Sequence, residues 1–511
     1  MSRRIFRELK ALSFWAFSLS LSGCTGTGGV IAHSAVPQAD ALAPGEAVDH
    51  ARRDAGWPTG QWWRAYADEQ LNTWMTTALR GSPSLAMAAA RVRQARAAAG
   101  ATEANEAPQA NAQGALGRHD WPADQFYGPG ELSGQTTWDN HAGLGLAYDF
   151  DLWGREKNAT EQALDVAHLR VAEARQAELE LAANVVRAYI QLALAYDLRD
   201  TAQATLEQQQ QMLDLARTRL SHGIGTQFEV SQAETPLPSL HRQCDVLDER
   251  IALAGNQLAA LAGLGPGAAA GLHRPTLQLA EAMPLPAVLP AQLLGQRPDV
   301  VAARWQVAAQ ARGIDVAHAG FYPNVDLAAS LGYMATGGGM LAFLSGQKLS
   351  YTAGPAFTLP VFDGGRLRGQ LGVATAGYDW AVAHYQQTLV HALEGVAEQL
   401  LRRESTEKQA RFAAEGVASA EKTYGLAVAA YQRGLTDYLN VLGAQTMVFH
   451  QRQVQQQIQA QRLGVYAGLI TALGGGLGAG ADTPGEPRLQ APATPKALAR
   501  LDHLLPAPTA P

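Results

Sequence analysis

The chain has 511 residues, with 40 Lys and Arg set against 46 Asp and Glu, and a formal net charge of −6. That sign argues against nucleic acid as a partner. Two cysteines, Cys24 and Cys244, are too few for a disulfide framework. No later stretch is apolar for the roughly 18 residues that a membrane helix needs, so a membrane crossing would have to be a closed barrel.

The N-terminus reads as a targeting segment, residues 1–23. Arg3, Arg4, Arg7 and Lys10 precede a short apolar run from Ala11 to Leu21, and Leu21-Ser22-Gly23-Cys24 has the form of a bacterial lipobox. Cleavage before Cys24 and its acylation are expected, and each buried methylene of such an anchor adds roughly 0.8 kcal/mol. Removing 1–23 takes away those four cations and Glu8, so the formal charge moves from −6 to −9. Thr25, in place of an aspartate, points to the outer rather than the inner membrane. With Cys24 lipidated, Cys244 has no partner and is expected to be a buried or half-buried small residue.

Residues 24–56 are rich in Gly, Ala, Pro and Asp and are expected to form a flexible lead. Trp57, Trp62, Trp63, Tyr66, Asp68 and Leu71 then open a helical region, followed by an Ala-rich stretch from Ala88 to Ala107. Period two comes next. Leu144, Leu146, Tyr148 and Phe150 alternate with Gly143, Gly145, Ala147 and Asp149; Gln109 to Leu116 alternates weakly. One apolar and one small or polar face suits a strand between lipid and a wet lumen. The polar connection at 117–137 suits an exposed loop.

From Arg155 to His222 there is neither proline nor glycine, a span of roughly 100 Å as helix. That is coiled-coil length, with Leu206, Met212, Leu213, Leu215 and Leu220 as an apolar seam. His222-Gly223-Ile224-Gly225 should reverse the chain, since glycine accepts the left-handed conformation. A return helix is expected from about Phe228, broken or kinked by Pro236 and Pro238.

The same plan then occurs a second time. Pro298 and Pro323 repeat Pro83 and Pro108 at an offset of 215, while Gly365-Arg366 and Gly434 repeat Gly154-Arg155 and Gly223 at 211. Strands are expected over Val325–Tyr333 and Tyr351–Leu359, with a loop at 334–349. A proline-free helix should run from Arg366 to Arg433, the turn Arg433-Gly434-Leu435-Thr436 follows, and a helix should return from about Tyr438. Two halves, 57–275 and 276–473, packed about a pseudo-two-fold axis are expected, with a disordered Gly-, Ala- and Pro-rich tail over 474–511.

Four strands per chain cannot close a barrel, and open edges in lipid leave backbone groups unsatisfied. The expected fold is therefore an α+β membrane protein: three chains give about 12 strands, a trimeric 12-stranded β-barrel wide enough for a lumen. A long α-helical coiled-coil barrel would continue it. No enzyme signature interrupts this reading: no nucleophile elbow, paired-histidine zinc motif, Walker loop or Cys-x-x-Cys. His384 and His391 read as solvent or seam residues, and no cofactor is expected beyond the lipid on Cys24.

Trp62-Trp63 with Asp68 and Leu71, Arg297-Pro298-Asp299, Phe321-Tyr322-Pro323, Leu359 through Arg366, and Tyr431 through Leu442 with Ala444-Gln445 together resemble the TolC/OprM-type outer-membrane efflux proteins, in the NodT-like lipoprotein branch. Thr235-Pro236-Leu237-Pro238 is similar to members linked to fusaric acid and other aromatic-compound resistance. The resemblance implies a homotrimer in the outer membrane, extending into the periplasm, where a periplasmic adaptor (a membrane fusion protein) couples it to an inner-membrane pump. It would be a passive conduit exporting small toxic compounds; a conduit for type I protein secretion is the alternative. The resemblance places the adaptor contact at Gly223, Ile224, Gly434 and Leu435. It also places a periplasmic gate near the second turn, where Tyr431 matches the family's tyrosine and Thr436 stands where a basic residue is sometimes found. Asn440 and Gly443 occupy the usual aspartate positions, leaving Asp437 and Glu229 as the nearby acids.

Overall fold

A computed structural model of the chain describes residues 27–37, 60–122, 132–279 and 297–476. Cys24, Trp57 and all but the first three residues of the expected tail lie outside them. A 3-10 turn, Trp62–Tyr66, leads into α1 (Glu69–Gly81) and α2 (Pro83–Glu103). Strands β1 (Gln109–Asp120) and β2 (Thr136–Asp149) precede α3 (Arg155–Ser221), α4 (Gln227–Glu234) and α5 (Leu237–Leu261). The second half runs α6 (Pro298–Ala319), β3 (Asn324–Thr336), β4 (Leu349–Thr358), α7 (Arg366–Gln432) and α8 (Tyr438–Ala472). Among the described residues no helix is long and apolar enough to cross a membrane.

The strands form one antiparallel sheet in the order β1-β2-β3-β4. Its register sorts the side chains into rows. Ala112, Leu144, Leu331 and Tyr351 stand in one row, and Ala110, Leu146, Ala329 and Ala353 in another on the same face. On the opposite face lie Asn111, Gly145, Ser330 and Thr352 in one row and Gln113, Gly143, Gly332 and Ser350 in another. The apolar face is uncovered: Tyr351 is 80% and Leu144 62% exposed. At 10 to 14 residues each, the strands are longer than the alternation alone suggests, and both ladders extend into the expected loops. Pro355 sits in β4, an edge strand, where a missing N–H is tolerated.

Each long helix has 67 residues. Asp363 starts α7: its two carboxylate oxygens accept from the N–H groups of Gly365 and Leu367, which hold its pKa below the usual value. At the start of α3, Asp151 accepts from the N–H groups of Glu156 and Lys157. The first return is interrupted as the prolines require. α4 stops at Glu234 and α5 starts at Leu237, yet Thr235 and Pro236 keep right-handed helical dihedrals, so the path continues. The second return, α8, is unbroken for 35 residues.

The far ends of the returns meet the helices that lead to the strands. Gly263 lies so close to Gly81 that a Cβ there would come within 2.4 Å of the Gly81 carbonyl oxygen, so the end of α5 abuts the junction of α1 and α2. At the matching place in the second half, Arg297 donates from Nη1 to the Ala472 carbonyl at 2.7 Å, satisfying an orphan acceptor at the end of α8. Asp299 fixes that guanidinium with two hydrogen bonds of 3.0 and 2.6 Å. The Asp68 motif is also structural. Asp68 caps α1 at Leu71 N–H, and accepts from Tyr189 Oη and from Thr276 N–H.

Two expectations need correction. The lead is not free throughout: after a turn at Gly28 and Gly29, residues 30–37 lie extended, with Val30, Ala32 and Val36 packed on the cluster around Tyr378 and Phe321. The tail does not begin at Gly474 either. Gly474 and Gly475 donate to the Thr471 and Ile470 carbonyls, closing α8, and Gly475 packs on Leu179. Cys244 is free and buried beside Leu198, Ala202 and Leu247, and burial pushes its thiol pKa up.

Candidate functional site at the hairpin ends

The two turns share one backbone design. After α3, Gly223 N–H donates to Leu220 O and Ile224 N–H to Arg219 O; after α7, Gly434 N–H donates to Tyr431 O and Leu435 N–H to Ala430 O. Both are Schellman closures, and Gly223 (φ +74°) and Gly434 (φ +73°) supply the left-handed residue. In such a closure the next residue commonly packs back on the helix. Here it does not: Ile224 is 67% and Leu435 76% exposed. Phe228 and Leu439, each the second residue of its return helix, are exposed as well. The two ends lie side by side. Met212, Leu213, Ala216, Val230 and Ala233 of the first hairpin form one buried cluster with Tyr431, Tyr438 and Val441 of the second.

The expected gate residues separate into two groups. Tyr431 is fully buried, with its ring 5.8 Å from that of Tyr438, and its hydroxyl has no hydrogen-bond partner. Burial raises its pKa, the Glu229 carboxylate adds to the rise, and Arg219 opposes it. Tyr438 is held in place: Gln209 Nε2 donates to its Oη and to the Ala233 carbonyl, each at 2.7 Å. The acids are helix caps. Glu229 and Thr226 form a reciprocal capping box on α4, each accepting from the other's N–H at 3.2 Å. Asp437 caps α8 through Asn440 N–H, and Asn440 Nδ2 reaches Thr436 Oγ1 at 2.8 Å. Thr436, Asp437 and Asn440 thus form one local cap.

The sequence reading missed Arg219. Its guanidinium carbon lies 4.7 Å from the Tyr431 ring centroid, so a cation of the first hairpin stacks on an aromatic of the second. The readable signal was its place in the last turn of a helix, where a cation complements the helix dipole. Among the described residues no group of His, Cys, Asp and Glu could hold a metal ion. His384 stacks on Trp380, and His391 pairs with Glu394.

The profile of the family described as outer membrane efflux protein matches residues 74–264 and 289–475. The chain belongs to the outer membrane efflux protein family. Its relatives include the fusaric acid resistance protein FusA of Burkholderia cepacia, 46% identical over 479 residues, covering 93% of this chain and 90% of the relative. The multidrug resistance outer membrane protein MdtP of Escherichia coli K12 is 30% identical over 437 residues, covering 83% and 88%. Among solved structures, the outer membrane protein VceC of Vibrio cholerae superposes with a TM-score of 0.77 at 33% identity, over 82% of this chain and all of that one. As an outer membrane efflux protein, the chain is a channel component of outer-membrane efflux. The relatives' names speak of drugs, cations and fusaric acid, and do not favour protein secretion.

Proposed function

We propose that three copies of this chain form the conduit, each lending four strands to a common barrel of about 12 strands. The sheet carries this reading. It has an apolar face with nothing to cover it, a small and polar face opposite, and edges β1 and β4 unpaired among the described residues. In hydrocarbon such edges cost several kcal/mol per unsatisfied group, and pairing β4 with β1 of the next chain removes them. A second support comes from α7, where Val373, Trp380, Val390, Leu401, Phe412 and Leu426 leave an exposed apolar stripe along the helix. The halves 57–275 and 276–473 then alternate around the axis as pseudo-equivalent units.

In this reading Cys24 carries the lipid that fixes the assembly to the outer membrane, and the helices reach into the periplasm. Ile224 and Leu435, with Gly223 and Gly434 shaping their turns, meet a periplasmic adaptor that links to an inner-membrane pump. The Arg219–Tyr431 stack joins the two hairpin ends and holds the periplasmic end narrow. The pore is passive, and the exported compounds are small toxic molecules, aromatic acids of the fusaric acid kind among them, by likeness to FusA. Neither Glu229 nor Asp437 stands free of a cap, so a ring of bare acids is absent from this proposal. The purified protein should migrate as a heat-modifiable trimer and conduct in planar bilayers. Trivalent cations should block it weakly, because no carboxylate ring concentrates them. A water-soluble monomer without ion flux would overturn the trimer, and tight trivalent block would overturn the neutral constriction.

A further inference from the structure

The segment 27–37 is built as a strap. Its side chains alternate: Val30, Ala32, Ser34 and Val36 turn inward and are half-buried, while Ile31, His33 and Ala35 are exposed. The inward row packs beside Leu367, Ala374 and Tyr378 of α7 and Phe321. One carboxylate fastens it. Asp379 Oδ1 accepts from His33 N–H at 2.9 Å and from Ser34 N–H at 2.8 Å, and Oδ2 lies 3.3 Å from the same His33 N–H. These are charge-assisted bonds to extended backbone. The direction is fixed too. Gly28 lies against the Arg368 side chain, one turn into α7, whereas His33 and Ser34 sit at Asp379. The strap therefore runs along α7 away from the strands, and its N-terminal end points back to them.

We propose that Asp379 is the positioning residue of a strap, residues 27–37, that sets the height of the chain's N-terminus at the boundary where strands give way to helices. Position 24 is four residues before Gly28, so Cys24 can lie no more than about 14 Å from it. This rests on the reading of Cys24 as acylated: the strap then delivers the acyl chains to the leaflet at the foot of the barrel. A freely jointed lead would let that anchor roam along the helices.

The test uses the full-length protein in detergent, by hydrogen exchange read with mass spectrometry, alongside incorporation of labelled palmitate. The peptide covering residues 27–37 should be protected in the wild type. Asp379→Ala should raise exchange there about tenfold or more, with Asp379→Asn in between because one carbonyl acceptor remains. Peptides from α6 and the rest of α7 should be unchanged, which separates a lost fastening from a lost fold. Exchange of 27–37 at the free-chain rate in the wild type, or equal protection in wild type and Asp379→Ala, would overturn the strap. The label reports separately: protection without palmitate leaves the strap standing and removes the anchor, while palmitate without protection does the reverse.

Discussion

The helices α3 and α7 have the same length, begin at a left-handed glycine and end in the same turn, yet they live in different surroundings. α3 finds its neighbours inside its own chain, packed by α2, α5, α6 and α8. Of its large apolar side chains only Leu164 is exposed among the described residues. α7 is packed by α6, α8 and the strap, and keeps its stripe from Val373 to Leu426 bare. The two helices follow one plan, and the difference between them is the bare stripe on α7, the face that the proposed trimer would cover with a neighbouring chain.

The largest effect should follow from spoiling that stripe. Leu401→Glu with Phe412→Glu puts six charges per trimer on the proposed contact and should abolish the heat-modifiable trimer band on gels. The isolated chain should keep its helical circular dichroism, since both positions are exposed within it. A normal trimer in the double variant would assign the stripe to the lumen instead. Next in size is the loss of docking. Ile224→Asp with Leu435→Asp should remove efflux-dependent resistance while the trimer persists. The cost in stability should stay within about 0.5 kcal/mol, as for other surface positions. Resistance at wild-type level would show that the adaptor grips elsewhere.

Much of this was legible beforehand, for physical reasons. Alternation along Leu144–Phe150 and Val325–Tyr333 reads as strand because period two is all a one-sided sheet needs. The absence of proline from Arg155 to His222 fixes a helix whose ends are set by Gly154 and Gly223. What stayed hidden depends on contacts between distant segments. Nothing near His33 says that its backbone N–H will meet Asp379, 346 residues away. Arg219 looks like any helix cation until the second hairpin puts Tyr431 beneath it. Glu229 was read as an acid near the gate, although Thr226-x-x-Glu229 is a capping box that the sequence prints openly. Chemistry within one turn is readable; chemistry between distant segments waits for the fold.

The stack of Arg219 on Tyr431 ties the two hairpins together, and its loss should be felt between them. Arg219→Ala should cost about 1 kcal/mol, the usual worth of a half-buried cation–π contact. It should also raise single-channel conductance, because the hairpin ends can part. Arg219→Lys should keep part of the effect. Unchanged conductance in Arg219→Ala, with the protein still trimeric, would mean that packing around Tyr438 and Val441 alone holds the ends.

The smallest expected effect sharpens the same comparison at the other end of α3. There Asp165 is half-buried near Glu161 of the same helix and Arg312 of α6. Burial pushes the Asp165 carboxyl up to about 6, with Arg312 pulling the other way and Glu161 adding to the rise. The folded state thus holds the proton more tightly than the unfolded chain. Its contribution to stability is complete below the unfolded value of 3.8 and is lost as pH rises through about 6. His168, one turn on against Trp305, works in the opposite sense. Burial and then Arg96 lower its pKa, so its contribution is present above 6.5 and declines as the pH falls. Asp165→Asn removes only the first effect. The variant should match wild type at pH 4 and exceed it by about 1 kcal/mol at pH 7.5, allowing for solvent screening at a half-exposed site. Melting curves across that range would show the gap opening between pH 4 and 6. A gap that opened only above pH 7, or that favoured wild type at neutral pH, would assign the pressure on this contact to a group other than Asp165.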